Sequence, residues 1–481
     1  MQSNTLLGNK NIFIFLLILI VSLGFTLIIS NLEYKLSTVI VLVIIGSPIL
    51  FLSISNSKWG ITVLIIYSYF LFLISRLLPF PFPGGTIVDF LAAIILFGII
   101  IKPRNSLKIT KKKLDNPITY MLLVYSAYIL MEIFNPNSFT VTSSVIIFRG
   151  VLATLVIFFL FAHVINSLKR LNAFTNTWLF LSLLAGLYGI YQEIFGFADF
   201  EWTFIHSVDG MYKRLYIWGH LRKFSFLSDV AAFGLLMAFS VVFASIMLFK
   251  RHAKIYTRLY LFIIIVVCGA AMVFSGTRTA YAIIPFGLFL YFLLNINNIK
   301  ILIAAISIFV VFIIILFGPF YSGPFKRIKS AFKSSDDPSM NVRDVNRKSI
   351  QPYIWSHPFG GGLFTTGIAG KKYAPSHRLA GFPPDSGYLK AALETGWIGL
   401  MLILVLYGII TSYGAQVFLN SHNSNLKIMA AAYTCSFFAI SIGNLTQDAM
   451  NQKPIGIIIV AIYSILPTLK FLNHETISND V

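Results

Sequence analysis

Two arginines lie in or beside long apolar stretches, where a permanent positive charge is costly. Arg149 follows the stretch 143–148, and Arg278 lies between Phe274 and the apolar stretch 280–286. A cation at such a depth is stable when it is paired, faces water or binds an anion. Arginine keeps its charge at physiological pH, and its fork of donors matches the oxygens of a phosphate group. Both arginines are therefore candidate phosphate ligands. The alternative is that each side chain reaches from a helix end to the membrane surface.

A glycine-rich segment follows Pro358. Residues 360–362 are all glycine, and the missing Cβ atoms would let backbone N–H groups approach a ligand closely. We therefore expect Gly360 and Gly362 to contact substrate. A tight loop needs the same residues, so that alternative stays open at this point.

An acidic residue stands just ahead of a strongly apolar segment. Asp385 follows two prolines, and the chain then leads through Glu394 into the apolar segment 393–417. The N-terminal end of a membrane helix would favour the negative charge of Asp385 through the helix dipole. Asp385 is therefore a candidate for chemistry, and the alternative is that its carboxylate only caps the helix.

The composition places these residues in a membrane protein. Of the 481 residues, 57% are hydrophobic and 11% are charged, and the mean hydropathy is +0.82, whereas soluble domains carry about 25% charged residues. The net charge of +20 is typical of proteins that bind nucleic acid, anionic lipid headgroups or an anionic substrate. No soluble domain is left to hold nucleic acid, so none is expected as a partner. Cys268 and Cys435 lie in apolar stretches, where packing rather than a disulfide is expected.

Apolar stretches long enough to cross a bilayer recur along the chain. A helix needs about 20 apolar residues to cross the hydrocarbon core. We therefore predict an all-α integral membrane protein with about 12–14 transmembrane helices. The predicted spans are 11–30, 36–55, 60–77, 87–101, 117–134, 143–165, 174–195, 228–249, 258–275, 279–294, 299–318, 393–417, 427–447 and 454–471. The first is expected to be a retained signal anchor, because it lacks an evident cleavage site.

Short basic loops predict the orientation, because such loops stay in the cytoplasm. The most basic of these loops carries six basic residues from Lys102 to Lys113. When successive predicted spans cross the membrane in alternating directions, this loop lies on the same side as the basic loops near residues 169, 250, 300 and 427. Both termini are then expected in the cytoplasm. The predicted parts are residues 1–318 with eleven spans and an external loop near 196–227, residues 319–392 as a large, partly helical extracytoplasmic loop, and residues 393–481 with three spans and a cytoplasmic C-terminus.

The two external loops are rich in lysine and arginine, against the usual bias. Long loops can cross the membrane regardless of their charge, so the topology is not affected. The basic side chains there predict an anionic ligand outside the cytoplasm, and they include Arg222, Arg343 and Arg347. The alternative is a solvated surface beside lipid headgroups.

Three stretches together carry a family resemblance. They are RKFSFLSD from residue 222 running on to Gly234, FSGTRTA from residue 274, and the external segment 343–396. In this order the chain resembles the O-antigen ligase and O-antigen polymerase superfamily of bacterial polytopic membrane glycosyltransferases, mainly over residues 145–445. In the family's ligases, ten residues separate a histidine from a following glycine. Here ten residues separate Asp385 from Gly396, so an aspartate holds that position, and this departure favours a polymerase.

The resemblance implies transfer of a glycan from a polyprenyl diphosphate to a glycan or lipid-linked acceptor. It places the reaction at the outer face of the bacterial cytoplasmic membrane, without a metal or other cofactor. Arg222 and Arg278, with Arg149 or Arg343, would hold the diphosphate and absorb the charge of the leaving group. Asp385 would act as general base toward the attacking hydroxyl. The predicted catalytic residues are thus Asp385, Arg278 and Arg222.

Other residues are predicted to contact the diphosphate or the glycan. They are Arg149, Arg343, Arg347, Gly360, Gly362, His377 and Glu394. Glu394 is also the second candidate for the base, unless it faces the membrane interface, and the alternative for His377 is an ordinary loop residue. No cluster of His, Cys and Asp has the spacing of metal ligands, so no metal site is expected. Candidate partners besides donor and acceptor are membrane lipids, chain-length regulators and flippase proteins.

Two other classes of protein share the many spans and the basic external side. A flippase or other transporter of lipid-linked oligosaccharides would often show internally repeated halves, and no such repeat is found in this sequence. A peptidoglycan polymerase of the rod-shape type would use a similar donor but requires its own motifs, which are not evident. Within the favoured family, a ligase that transfers glycan to lipid A-core or another acceptor is the alternative to a polymerase of O-antigen or exopolysaccharide repeat units.

Overall fold

The computed structural model describes most of the chain. The described residues are 34–78, 83–101, 105–137, 141–217, 219–250, 253–299 and 338–479, with single positions between 303 and 318. The predicted span 11–30 lies outside them, and so does most of the predicted span 299–318.

Helices make up nearly all of the described structure, which confirms the all-α prediction. In chain order they are α1 (Tyr34–Ser55), α2 (Ser57–Leu77), α3 (Gly84–Ile100), α4 (Asn105–Leu114), α5 (Pro117–Met131), α6 (Val141–Val164), α7 (Leu168–Phe195), α8 (Asp199–Ser207), α9 (Met211–Leu215), α10 (Val230–Met247), α11 (Ile255–Ser275), α12 (Arg278–Leu294), α13 (Pro338–Ser356), α14 (Gly367–Tyr373), α15 (Gly387–Glu394), α16 (Gly396–Asn420), α17 (Ser424–Gly443) and α18 (Ile455–Asn479). A short antiparallel hairpin, β1 (Tyr216–Ile217) and β2 (His220–Leu221), lies between α9 and α10.

The protein is an integral membrane protein. Among the residues that the structure describes, nine helices are long and apolar enough to cross a membrane, and three shorter apolar helices lie at Gly46–Ser55, Gly84–Ile100 and Arg278–Leu294. The nine and the three together correspond to twelve of the fourteen predicted spans. The predicted span 427–447 extends four residues too far, because α17 already ends at Gly443.

Helices α10 and α17 form the centre of the bundle. In each, 83% of the apolar window is buried within the protein, against 28% for α11. Trp178 on α7 packs against Phe239 and Phe243 of α10 and Tyr433 of α17, with ring centroids 5.0, 4.7 and 6.4 Å away. Lipid provides no hydrophobic driving force between helices, so close packing of this kind holds the bundle together. This rigid centre positions the loops described below.

Described parts of the loops that the predicted topology puts on one side of the membrane are in contact at one end of the bundle. At that end Asn135 donates to the Phe359 carbonyl oxygen at 3.0 Å, although the two residues are far apart in sequence. At the opposite end, in the basic loops, Lys113 Nζ donates to the Ile165 carbonyl oxygen at 3.1 Å. All the candidate site residues described below belong to the first end.

Candidate functional site

Arg222 packs directly onto the turn that precedes Arg278. Its Nε donates to the Ser275 carbonyl oxygen at 2.8 Å, and its Nη2 donates to Thr277 Oγ1 at 3.1 Å. Gly276 has a φ of 59°, and a Cβ there would lie 3.2 Å from Arg222 Nε. Both the backbone conformation and the close packing therefore favour glycine. The first two stretches that carry the resemblance thus form one structural unit.

Two side chains from other helices hold the Arg222 segment, and the sequence analysis identified neither of them. Gln192 on α7 accepts a hydrogen bond from the Ser225 N–H at 2.8 Å and donates to the Ser225 carbonyl oxygen at 3.4 Å. Ser225 has a φ of 54°, which is unfavourable for a residue other than glycine. Arg76 at the end of α2 donates to three carbonyl oxygens of this segment, including that of Ser225 at 3.2 Å. A glutamine and an arginine at the ends of apolar spans are costly in lipid. This cost is the feature of the sequence from which a structural role for Gln192 and Arg76 could have been predicted.

Arg278 is the first residue of α12, and its neighbour Thr279 connects this helix to a distant loop. Arg278 is half-buried. Thr279 Oγ1 lies 2.6 Å from Thr446 Oγ1, in the loop between α17 and α18. The N-terminal end of a helix attracts anions, because its N–H groups carry partial positive charge. The guanidinium group and the helix end thus both favour a phosphate at this place.

Asp385 lies just before α15 but does not cap it. Ser386 is the cap, because its Oγ accepts the hydrogen bond from the Leu389 N–H at 3.0 Å. The alternative that Asp385 only caps the helix is therefore wrong. Asp385 itself is half-buried.

A loop that the sequence analysis did not single out, residues 444–454, joins α12 to α15. It contacts α12 through Thr446, as described above. It also accepts hydrogen bonds from the Gly387 N–H, at the carbonyl oxygens of Asn444 (3.0 Å) and Gln447 (3.2 Å). A Cβ at Gly387 would overlap the side chain of Asn444, so glycine is required for this contact. Arg278, the candidate cation, and Asp385, the candidate base, therefore stand at the starts of α12 and α15, and both helices contact the same loop.

An ion pair strengthens the attachment of α15 to this loop. Lys390 Nζ lies 3.1 Å from Asp448 Oδ2, and Asn451 donates to the other carboxylate oxygen at 2.8 Å. Burial by itself would lower the pKa of Lys390, but Asp448 and Glu394 outweigh it and raise this pKa above its ordinary value. Lys390 is therefore protonated at neutral pH, and the pair links helix and loop.

The third stretch contributes two further arginines that were predicted to contact substrate. Arg347 on α13 is exposed, and its Nη2 lies 3.5 Å from the Leu445 carbonyl oxygen. This contact brings it to the loop 444–454. Arg343 lies on the same helix, but its side chain is outside the part of the chain that the structure describes.

The backbone N–H groups of the glycine segment are used inside the protein. Gly361 and Gly362 donate to the carbonyl oxygens of Leu393 (2.8 Å) and Glu394 (2.9 Å), and Gly360 closes a turn three residues back at 2.9 Å. The expectation that the N–H groups of Gly360 and Gly362 face a ligand is therefore wrong. The tight-loop alternative accounts for the sequence, because φ is 70° and 87° at these two positions.

Glu394 is turned into the protein. It is 4% exposed, and it accepts hydrogen bonds from the hydroxyl and the N–H of Thr366. Burial raises the pKa of the Glu394 carboxyl above its ordinary value, while Lys390 and the Thr366 bonds oppose that rise. The alternative that Glu394 faces the membrane interface is wrong. Its contacts hold α15 on the segment that follows the glycines, which leaves little access to a substrate hydroxyl.

His377 packs beside the glycine segment, where its ring nitrogen is already engaged. Its Nδ1 accepts a hydrogen bond from the Leu379 N–H at 3.1 Å. Burial and the neighbouring His357 lower the pKa of the His377 imidazole, so the ring is neutral at neutral pH. The proton of the neutral ring then resides on Nε2, which can donate but cannot accept. This arrangement fits the loop-residue alternative better than a role in removing a proton.

Arg149 has a carboxylate partner inside the protein. Its Nε lies 3.1 Å from Asp89 Oδ2 on α3, and its Nη1 lies 3.4 Å from Thr86 Oγ1. This ion pair offsets the free-energy cost of a cation near the membrane. The sequence predicted either a bound phosphate or a side chain reaching to the membrane surface, and it did not predict this carboxylate partner. A phosphate ligand is therefore not required to explain Arg149.

Metal ligands are not gathered anywhere in the described ranges. In that part of the chain, no group of three or more His, Cys, Asp or Glu side chains could hold a metal ion. Arg347 and the Lys390–Asp448 pair lie at the loop 444–454, while Arg278 begins α12 and Asp385 lies just before α15, the two helices attached to it. This set can bind an anion and accept a proton.

Two comparisons with known proteins give matches, one to residues 261–404 and one over most of this chain. A family described as O-antigen ligase matches residues 261–404, which include the Arg278 turn, the glycine segment and Asp385. An O-antigen polymerase of Salmonella muenchen is 24% identical over 425 residues, which cover 83% of this chain and 99% of that protein. These matches, together with three motif stretches assembled at one end of a helical membrane bundle, support the resemblance of the chain to the O-antigen ligase and O-antigen polymerase superfamily.

Proposed function

We propose that the protein is a glycosyltransferase that polymerises O-antigen or exopolysaccharide repeat units from polyprenyl-diphosphate carriers. The observation that carries the proposal is the arrangement around the loop 444–454. Arg278, with Arg222 packed on the turn before it, and Asp385 stand at two helix starts fixed on that loop. Guanidinium groups at a helix N-terminus fit a diphosphate, and a carboxylate nearby fits an attacking hydroxyl.

The proposed reaction forms one glycosidic bond and breaks one bond to phosphate. A hydroxyl of the acceptor glycan attacks the anomeric carbon of the donor glycan, and its proton passes to the carboxylate of Asp385. The bond between that carbon and the diphosphate oxygen breaks, and the electron pair leaves with the polyprenyl diphosphate. Arg278 and Arg222 stabilise the negative charge that develops on this leaving group. The products are a longer glycan and a free polyprenyl diphosphate.

Two observations favour a polymerase over the alternative of a ligase that transfers glycan to lipid A-core. The Salmonella muenchen relative carries the name O-antigen polymerase. An aspartate, Asp385, also stands at the position where the family's ligases carry a histidine, and His377 cannot readily replace that histidine because its Nδ1 is engaged. A transporter of lipid-linked oligosaccharides remains the alternative of a different class, and the assay that follows separates all three.

Purified full-length protein is expected to make a ladder of products from a polyprenyl-diphosphate-linked repeat unit. The products are separated on a gel, with the reaction run in EDTA because arginines rather than a divalent cation are proposed to hold the diphosphate. A ladder of increasing repeats supports the polymerase. Transfer only to a separate lipid acceptor identifies a ligase. Transport of the substrate across a vesicle membrane without a new glycosidic bond would show that the protein is not a glycosyltransferase.

The site is proposed to face outward from the bacterial cytoplasmic membrane, with both termini inside. The basic loops at the opposite end of the bundle support this orientation. Cysteines at exposed positions test it: Lys213→Cys and Lys372→Cys are expected to react with a membrane-impermeant thiol reagent in intact cells, and Lys112→Cys is not. The unmodified protein is a suitable blank, because Cys268 and Cys435 are both 0% exposed. Labelling at position 112 alone would reverse the orientation.

A further inference from the structure

Four aromatic rings form a continuous strip on the external segment before Arg222. Trp202, His206, Tyr212 and Tyr216 follow one another with centroids 5.6, 6.3 and 5.9 Å apart. Each ring is nearly parallel to the next, with interplanar angles of 26°, 14° and 8°. These four rings are called the aromatic strip.

The aromatic strip lies on the surface of a unit with its own core. Beneath it Phe197, Ile205, Met211, Leu215 and Phe224 pack together, and all five are buried. Tyr212 and Tyr216 are 44% and 48% exposed. Exposed aromatic rings held on a packed base are typical of a binding surface, because burial within the fold does not explain them.

The aromatic strip leads directly to Arg222. Tyr216 pairs with Leu221 across the β1–β2 hairpin, and the Arg222 N–H donates to the Leu215 carbonyl oxygen at 2.9 Å. Tyr216, the last residue of the aromatic strip, therefore lies on the strand directly beside Leu221, the residue before Arg222. If Arg222 helps to hold a diphosphate, the sugars attached to that diphosphate lie within reach of the strip.

We propose that the aromatic strip binds the glycan part of the substrate, several sugar units away from the bond that forms. This inference rests on the proposed function for the identity of the glycan. A pyranose ring presents C–H groups on its face, and these are attracted to the electron-rich face or edge of an aromatic ring. The tyrosine hydroxyls and the exposed Lys213 and Arg214 beside them supply polar contacts for sugar hydroxyl groups. A chain held here would stay bound while repeat units are added.

Binding is tested without any transfer reaction. The probe is the surface polysaccharide released by mild acid from the cells that carry this protein and freed of lipid. Full-length protein in nanodiscs of zwitterionic lipid is titrated with it. The double variant Tyr212→Ala/Tyr216→Ala is expected to bind about tenfold more weakly, and Tyr212→Phe/Tyr216→Phe to stay within about threefold of the unmodified protein, because the rings make most of the contact. Binding is also expected to persist in high salt, since stacking is not screened.

A matched control is Tyr256→Ala at the opposite end of the bundle, a tyrosine that is 80% exposed; it should leave polysaccharide binding unchanged. Equal binding by the alanine double variant and the unmodified protein would overturn the inference, as would an unmodified protein that binds no polysaccharide. If chains are still extended in either case, the proposed function stands and only the strip is misassigned. A loss of thermal stability in the alanine variant without loss of binding would mark the rings as membrane anchors instead.

Discussion

Arg278→Lys is expected to lower glycan transfer by about 10²- to 10³-fold while the protein still inserts and folds normally. Lysine keeps the positive charge but presents a single ammonium group, so it cannot make the parallel pair of hydrogen bonds that a guanidinium makes with a phosphate. The substitution should therefore lower the rate of glycan transfer rather than the stability of α12, because the N-cap of that helix is Thr277 and not Arg278. Rates are measured on purified protein with a polyprenyl-diphosphate-linked glycan.

The matched control is Arg258→Lys. Arg258 is exposed near the start of α11, whereas the turn before Arg278 follows the end of that helix, so the two arginines lie at opposite ends of the bundle. The transfer rate of this control should stay within about twofold of the unmodified protein, as is usual for an exposed site away from the chemistry. Arg222→Ala is expected to resemble Arg278→Lys, but it also removes two hydrogen bonds to the turn. Its melting temperature must therefore be compared as well. Unchanged transfer by Arg278→Ala would remove the basis for assigning the diphosphate to this place.

Asp385→Asn is expected to reduce transfer by about 10²- to 10⁴-fold, which is the usual contribution of a general base. Asparagine is nearly the same size but cannot accept a proton at neutral pH. The change should have little effect on folding, because Ser386 rather than Asp385 caps α15. The measurement is product length on a gel at equal amounts of folded protein, where the unmodified protein gives a ladder and the variant gives almost none.

Ser386→Ala is the control that separates the cap from the base. It removes the hydrogen bond to the Leu389 N–H, so it should lower stability by about 1 kcal/mol and leave chain extension per folded molecule largely intact. Normal chain extension by Asp385→Asn would show that Asp385 is not the base. The structure makes Glu394 and His377 poor substitutes, since one is buried against Thr366 and the other has its Nδ1 engaged. The base would then be sought in the substrate itself.

The site described here depends on contacts that hydropathy does not encode. The predicted span 427–447 extends into the first residues of the loop 444–454, because they follow an apolar stretch without a break. In the structure Asn444 ends that stretch, and its side chain accepts hydrogen bonds from the N–H groups of Ala449 at 3.0 Å and Met450 at 3.4 Å. This turn receives Gly387 and contacts Thr279. A window of sequence reports the affinity of a segment for lipid, and it does not report which distant backbone will dock there.

The sequence by itself determined that this protein is a helical membrane protein, where most of its spans lie, and which stretches carry the family resemblance. Those properties follow from local composition and from the order of a few residue types, such as the small residues before Arg278. Only the tertiary structure decided that Ser386 is the cap and that the N–H groups of Gly361 and Gly362 are occupied by the end of α15. It also paired Arg149 with Asp89. The physical reason is that a donor or a charge is available to a ligand only when no other part of the chain satisfies it, and that depends on which distant residues the fold brings together.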